Sequence, residues 1–191
     1  MFPYQEDSNM AMMVNKMALK MHQEGNDVRV FMPRFGFISE RKFQLHEVIR
    51  LSGMNIIIND LDQPLIIKVA SLPGERLQVY FIDNEEYFKR KQYYQDEDNQ
   101  PFEDNDERAI FFARGVIETI KKLNWVPDII HFNGWMASFI PIYLKNYYKT
   151  DSYFNDTKLV LSVYNEKDLS LGDNITEKLK FDNIENLKAL E

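Results

Sequence analysis

The chain has 191 residues, 45% of them hydrophobic and 28% charged, with a formal net charge of −7 and no cysteine. This composition is typical of a globular protein with one substantial core. The acidic charge without a basic stripe argues against a nucleic-acid partner, and the lack of cysteine excludes disulfides and thiol chemistry. No apolar run reaches the roughly 18 residues of a membrane span, and no signal-peptide pattern opens the sequence. We therefore expect a cytoplasmic protein without a membrane partner.

The first predicted helix carries an apolar stripe formed by Met10, Met13, Val14, Met17, Ala18 and Met21. This spacing predicts an amphipathic helix over 9–24, with Asp7 or Ser8 as its N-cap and Gly25 after its end. A strand over 28–32 follows. In a βαβ unit a strand precedes such a helix, and none is present here. We therefore expect a piece of a longer chain whose first strand is missing.

The middle of the chain predicts three strands without intervening helices, over 54–58, 65–70 and 77–82. Residues 73–75, Pro-Gly-Glu, are a turn signal that makes the last two a hairpin. This predicts an antiparallel extension of the main sheet. Residues 89–100 are polar and aromatic and predict a loop, whose exposed rings could stack on sugars or could equally belong to a mobile solvated segment.

The second half returns to alternating helices and strands. We expect a helix over 104–123, a strand over 129–132, a helix over 135–148, a strand over 158–163 and a helix from 174 to 190. The strand over 129–132 runs into His131, Asn133 and Gly134. Ligands of open parallel sheets bind beyond the carboxyl ends of strands, so this turn is a candidate site. The alternative is a structural histidine beside a packed tryptophan.

Other chemistries lack their sequence signatures. The chain has no cysteine for a thiol nucleophile and no G-x-S-x-G elbow. Its three histidines, His22, His46 and His131, are too scattered for a zinc site. No G-x-G-x-x-G segment or P-loop occurs. The residues alone therefore predict an α/β protein with a candidate site after the strand that ends near His131.

Four segments resemble motifs of the glycogen and bacterial starch synthases, in that family's order and spacing. Residues 127–135, PDIIHFNGW, resemble P-D-(I/V)-(I/V)-H-x-H-D-W. Residues 28–36 resemble D-V-R-V-x-x-P-R-Y-G, residues 79–90 resemble Y-F-I-D-x-x-x-Y-F-x-R, and residues 102–109 resemble Y-x-D-N-x-E-R-F. The resemblance covers about residues 3 to 183, which is nearly the whole chain.

The resemblance implies one lobe of a GT-B glycosyltransferase, with two Rossmann-like lobes and a cleft between them. Such enzymes transfer glucose from ADP-glucose or UDP-glucose to an α-1,4-glucan with retention, and they need no metal or other cofactor. Residues 1–191 would form a single domain, the N-terminal acceptor-side lobe. Its sheet would be three-layered and mainly parallel, with helices on both faces and an antiparallel hairpin extension. The partners would be the nucleotide-sugar donor, the glucan and a C-terminal lobe of the same protein. The chain alone would be inactive, and its exposed sheet surface could support a homodimer.

The resemblance also assigns site residues, with departures from the family pattern. Asn133 occupies the position of the family's catalytic-site histidine, and Gly134 that of its aspartate. An H-N-L segment in the family becomes Tyr164, Asn165 and Glu166 here. The residues expected to bind substrate are Gly134, Trp135, Asn165, Tyr94 and Arg90.

The family's donor loop, Lys-x-Gly-Gly-Leu, is replaced by Glu6, Asp7, Ser8, Asn9 and Met10. Loss of the lysine and both glycines removes a cation and disfavours close backbone approach to a diphosphate. We expect residues 6–9 and Asn165 to lie close to Asn133. The alternative to an enzyme is a non-catalytic glucan-binding or regulatory relative.

Overall fold

The computed structural model describes residues 1–6, 8–164 and 174–185. Its α-helices are α1 (Asn9–Gln23), α2 (Glu40–Phe43), α3 (Glu85–Phe88), α4 (Asn105–Lys122), α5 (Phe139–Lys145) and α6 (Ile175–Phe181). Its strands are β1 (Arg29–Pro33), β2 (His46–Glu47), β3 (Met54–Ile58), β4 (Leu61–Ser71), β5 (Gln78–Asp83), β6 (Ile129–Asn133) and β7 (Lys158–Ser162). Two short 3₁₀ helices occupy Trp135–Ala137 and Ser152–Phe154.

The chain divides into two compact units. The first holds Met1–Met54 and Pro64–Tyr93, and the second holds Asn55–Gln63 with the described residues from Tyr94 onward. Compactness alone does not decide whether units fold independently. The single domain expected over 1–191 therefore stays a prediction.

The first unit is built around a mixed sheet with the strand order β1-β5-β4-β2. β1 and β5 are parallel, whereas β4 runs antiparallel to β5 and to β2. The turn after β4 closes with the Leu72 amide donating to the Leu77 carbonyl at 2.9 Å. The predicted hairpin is confirmed, and so is the α/β class. The sheet is mixed rather than mainly parallel, because the hairpin adds antiparallel pairs to the single parallel pair.

Helix α1 begins as the sequence predicts. The Ser8 hydroxyl accepts a hydrogen bond from the Ala11 amide at 3.2 Å, which makes Ser8 the N-cap. The buried line of this helix runs through Ala11 and Ala18, whereas Met13 and Met21 are 57% and 45% exposed. The apolar stripe of this helix is therefore only partly buried.

Two of the family-like segments meet in the first unit at the carboxyl ends of β1 and β5. Arg34 Nε and Lys68 Nζ lie 3.2 and 2.9 Å from Asp83 Oδ2. Glu40 Oε1 lies 3.3 Å from Arg34 Nη2 and 2.6 Å from Lys68 Nζ. The Asp83 side chain is 2% exposed. A buried carboxylate destabilises the folded state unless it is paired, and Arg34 and Lys68 supply that pairing.

Gly36 holds residues 84–93 against the end of β1. Its amide donates to the Arg90 carbonyl at 2.9 Å. A Cβ at this position would lie 1.8 Å from the Lys89 carbonyl oxygen and 2.7 Å from that of Arg90. Because the obstacles are backbone atoms, a side chain could be accepted only by moving this segment.

Gly36→Ala is therefore expected to lower the free energy of unfolding by about 3 kcal/mol, near the upper end of overpacking costs. Gly74→Ala is the matched control: its φ is 80° and nothing lies within 4 Å of its added Cβ, so only backbone strain of about 1 kcal/mol is expected. Urea denaturation measures both. Equal losses in the two variants would contradict the steric argument.

The second unit is built around α4, which is buried along nearly its whole length. Helix α4 packs against the 3₁₀ helix Trp135–Ala137 and α5, and β6 pairs with β7 in parallel. The continuous helix predicted over 135–148 is wrong. Pro141 has no amide hydrogen and is tolerated only in a first helical turn, so α5 starts just before it and the preceding residues form a separate 3₁₀ turn.

Shorter elements also differ from prediction. Helix α2 and strand β2 lie between the predicted strands over 28–32 and 54–58, and α3 lies between β5 and the predicted loop. That loop holds only an isolated bridge between Gln95 and Pro101. The helix predicted from 174 to 190 begins as α6 but is wrong beyond it, because α6 ends at Phe181 and Asn183 adopts a left-handed φ of 57°. The prediction from residue 186 onward lies outside the described residues.

Apolar side chains are exposed around β7: Val160, Leu161 and Val163 are 42%, 54% and 83% exposed. Self-association through this exposed sheet surface stays a prediction. Within the part of the chain that the structure describes, no helix has the length and apolar character needed to cross a membrane.

Candidate functional site at the carboxyl end of strand β6

The polar turn after β6 depends on a glycine. Gly134 adopts φ 76° and ψ 165°, a backbone region accessible essentially to glycine alone. Its carbonyl accepts from the Ala137 amide at 3.2 Å and starts the 3₁₀ helix. Gly134 is itself the N-cap, and no side chain caps this helix. Asn133 therefore does not cap this helix.

Side chains from β6 and β7 are joined at their carboxyl ends. The two strands are in register with Asn133 opposite Ser162. The His131 Nε2 atom lies 2.8 Å from the Ser162 hydroxyl oxygen, and the Tyr164 hydroxyl donates to Asn133 Oδ1 at 2.8 Å. His131 thus supports the turn by tying it to β7, and Asn133 is held from its oxygen end.

Trp135 opens the 3₁₀ helix and is half-buried. Its carbonyl accepts from the Ser138 amide at 3.0 Å and from the Ser138 hydroxyl. These bonds fix the backbone at Trp135, while part of the residue stays accessible to solvent. The Trp135 indole and the Asn133 amide, both fixed in position, can offer a sugar a stacking surface and a hydrogen bond.

Tyr94 also belongs to the second unit, where the family-like segment 102–109 holds its backbone. The Tyr94 carbonyl accepts from Asn105 Nδ2 at 2.8 Å and from the Phe102 amide at 2.9 Å. Arg108, which is fully buried, donates to Asn105 Oδ1 at 2.8 Å. The segment therefore acts as a structural support of the Tyr94 loop. Among the described residues, no hydrogen bond or ring contact joins Tyr94 to Asn133.

The other expected site residues lie in the first unit or outside the described residues. Glu6 pairs with Lys42 at 3.8 Å on the surface, Ser8 caps α1, and Asn9 is exposed as the first residue of that helix. Arg90 is half-buried and accepts the Gly36 amide through its carbonyl. Asp7 and Asn165 lie outside the described residues. That residues 6–9 and Asn165 lie near Asn133, and that Arg90 binds substrate, stay predictions.

Residues that could hold a metal do not converge. Within residues 1–6, 8–164 and 174–185, no group of three or more His, Cys, Asp or Glu side chains is close enough to bind an ion. The turn itself offers a side-chain amide at Asn133 and an indole ring at Trp135.

One residue at the candidate site could not be recognised from the sequence. Tyr164 is only a departure from the family pattern there, whereas in the structure it is the hydrogen-bond partner of Asn133. The available signal was that both residues follow the ends of strands expected to be parallel neighbours. Recognising the pair from this signal requires the register between the two strands.

Comparison with known proteins agrees with this architecture. The family described as starch synthase catalytic domain matches residues 1–189. The glycogen synthase of Chlorobium limicola is 43% identical over 146 residues, which are 76% of this chain and 30% of that protein. The glycogen synthase of Chlorobium luteolum is 38% identical over 164 residues, which are 85% of this chain and 34% of that protein. The chain thus spans about a third of the length of these relatives.

A solved structure gives the same fold. The catalytic domain of starch synthase IV from Arabidopsis thaliana, bound to ADP and acarbose, matches with a TM-score of 0.69. The match covers 84% of this chain and 31% of that one, at 19% sequence identity. At this level of identity the similarity supports the fold and carries no assignment of individual residues.

Proposed function

This chain belongs to the starch synthase catalytic domain family, and from that membership we propose that it is the acceptor-side lobe of a glucosyltransferase. The reaction is transfer of glucose from ADP-glucose or UDP-glucose to an α-1,4-glucan with retention of configuration. A second lobe of the same protein holds the nucleotide sugar, so the 191-residue chain alone transfers no glucose. The cytoplasmic location expected from the sequence stays a prediction.

The observation that carries this proposal is the polar turn after β6. Asn133, Gly134 and Trp135 stand at the carboxyl end of a parallel strand pair, where open α/β sheets bind their ligands. The turn is built from fixed neutral groups, as binding a neutral sugar requires. In the proposal Asn133 contacts the reacting sugar, while Gly134, Trp135 and Asn165 bind substrate beside it.

Further contacts are proposed for the loops. Tyr94 and Arg90 bind the glucan, and residues 6–9 occupy the place of the family's donor loop. Glu6 carries a negative charge and the loop contains no glycine, so its contact with a donor diphosphate is weaker than a lysine-glycine loop would give. The remaining donor contacts come from the second lobe.

One observation favours the alternative of a non-catalytic glucan-binding relative. The family's histidine is replaced by Asn133, whose amide can hydrogen-bond but cannot take up or release a proton. A protein that kept only acceptor binding would tolerate this change without a compensating group. Glucan binding is expected of a glucosyltransferase and of a non-catalytic relative alike. Glucosyl transfer is expected of the glucosyltransferase alone.

The chain contains two tryptophans, which makes acceptor binding testable. Trp125 precedes β6 and Trp135 follows it, so they lie at opposite ends of the strand. In Trp125→Phe, the fluorescence of Trp135 is expected to change saturably as maltoheptaose is added. In the matched control Trp135→Phe, the remaining Trp125 should give no change. Unaltered Trp135 emission at saturating sugar would remove the assignment of this turn as the acceptor site.

A further inference from the structure

Asn133 and Tyr164, which both depart from the family pattern, are in contact with each other. The family has histidine both at the position of Asn133 and at that of Tyr164, and this chain has replaced both. The Tyr164 hydroxyl donates to Asn133 Oδ1 at 2.8 Å across the ends of β6 and β7. Both residues are half-buried, so the bond is partly shielded from competing water.

This bond determines which end of the amide is free. A primary amide has an acceptor oxygen at one end and a donor nitrogen at the other. With Oδ1 engaged by Tyr164, the Asn133 Nδ2 group is turned away from that hydroxyl. No hydrogen bond between the described residues uses Asn133 Nδ2. The amide therefore presents a donor, and the group that complements it is an acceptor oxygen such as a sugar hydroxyl.

We propose that Tyr164 is a positioning residue, which fixes the Asn133 amide so that its Nδ2 group donates to a hydroxyl oxygen of the sugar bound at this turn. The inference rests on the proposed function for the identity of the sugar. It explains how a chain without histidine at either position keeps an oriented donor there. Since an amide has no titrating proton in the physiological range, this donor is present in the same form from pH 5 to pH 9.

The kinetic test is a double-mutant cycle in the intact protein. Tyr164→Phe is expected to lower kcat/KM for glucosyl transfer by about 2- to 10-fold, the loss of one net hydrogen bond. In an Asn133→Ala background the same change should cause no further loss, because the amide that Tyr164 orients is gone. Equal losses in both backgrounds, or no loss in either, would overturn the inference.

A matched control distinguishes the positioning role of Tyr164 from the general effect of removing a tyrosine hydroxyl. The Tyr153 hydroxyl is buried without a hydrogen-bond partner in the described structure, so Tyr153→Phe should leave transfer unchanged. Tyr164→Phe should lower transfer, while its melting temperature falls below that of Tyr153→Phe only by the few degrees that correspond to the loss of one hydrogen bond. A fall in melting temperature with unchanged transfer would mean that Tyr164 is only structural.

A second readout does not depend on transfer. The side-chain amide signals of Asn133 in a ¹⁵N-labelled chain can be assigned by their disappearance in Asn133→Ala. We expect these signals to shift when maltoheptaose is added to the wild-type chain, and the shift to be reduced in Tyr164→Phe. If wild-type protein transfers no glucose, the proposed reaction fails, and this spectrum still decides the inference. Identical behaviour of the Asn133 signals in wild type and Tyr164→Phe would contradict it.

Discussion

Replacing Asn133 by alanine is expected to lower the turnover of glucosyl transfer by about 5- to 150-fold in the intact protein. The loss corresponds to about 1–3 kcal/mol of transition-state binding, the range for removing a hydrogen-bonding group that contacts substrate in a closed site. The folded state loses only the bond from Tyr164 to Asn133 Oδ1. We therefore expect the free energy of unfolding to fall by only about 1 kcal/mol.

Asn146→Ala is the matched control for this substitution. Asn146 is exposed, and its side-chain amide also makes one hydrogen bond, to the Ile142 carbonyl at 2.8 Å. It should cost a similar small amount of stability and leave turnover unchanged. Steady-state kinetics and thermal melting are measured on both variants. If Asn133→Ala transfers glucose at the unchanged rate but melts at a lower temperature, Asn133 does not belong to the site.

Lys178→Met is expected to cost about 3–5 kcal/mol of folding free energy, the usual penalty for removing one partner of a buried ion pair. Lys178 Nζ lies 2.8 Å from Asp106 Oδ2 and 2.9 Å from Glu107 Oε1. The Asp106 side chain is 1% exposed, so methionine at position 178 leaves a buried carboxylate without its cation. These bonds tie α6 to the start of α4, the helix that packs against the 3₁₀ turn of the site.

The pH dependence of this penalty has a definite sign. Burial lowers the pKa of Lys178, but hydrogen bonds to Asp106 and Glu107 outweigh it, so the pKa lies above its ordinary value of 10.5. The stabilisation is complete below the unfolded-state pKa of about 10.4 and is lost as the pH rises through the raised pKa. The difference between wild type and Lys178→Met should therefore narrow under strongly alkaline conditions.

Urea denaturation at pH 7 and at alkaline pH measures both effects. Lys180→Met, at an exposed position of the same helix, is the control, and it should change stability by no more than about 0.5 kcal/mol. Similar losses for the two lysines would show that the pair with Asp106 contributes little. A difference that grows with pH would contradict the assigned direction of the pKa shift.

Strands bounded by turn residues and long helices were predictable. β1, β5, β6 and β7 lie within about one residue of their predicted bounds, because each is a run of mostly apolar and β-branched residues bounded by turn residues. Helices α1 and α4 were found because their apolar residues recur at helical spacing over several turns. The antiparallel extension followed from three consecutive strand patterns and the turn at 73–75.

Elements decided by a single residue were less predictable. Pro141 lies inside an apolar helical period that suggested one helix over 135–148, yet it divides the segment into a 3₁₀ turn and α5. Helix α3 is a single turn started by Asn84, whose side chain accepts from the Tyr87 amide at 3.0 Å. Four residues are too few for a period to be recognised.

The candidate site was predictable in place but not in its bonds. The carboxyl end of the strand before Asn133 could be located because the strand is apolar and a glycine follows it. The bond from Tyr164 to Asn133 joins residues 31 positions apart, and it depends on the register of β6 and β7. Register is set by packing on both strands, which one sequence read locally does not contain.

The proposed glucosyl transfer can be tested directly in one assay. The intact protein is incubated with maltoheptaose and either ADP-glucose or UDP-glucose, and the products are followed by chain length and by the anomeric signals of the new linkage. We expect α-1,4-extended products with at least one donor. Saturable maltoheptaose binding at Trp135 without transfer from either donor would contradict it and would leave a glucan-binding protein without this activity.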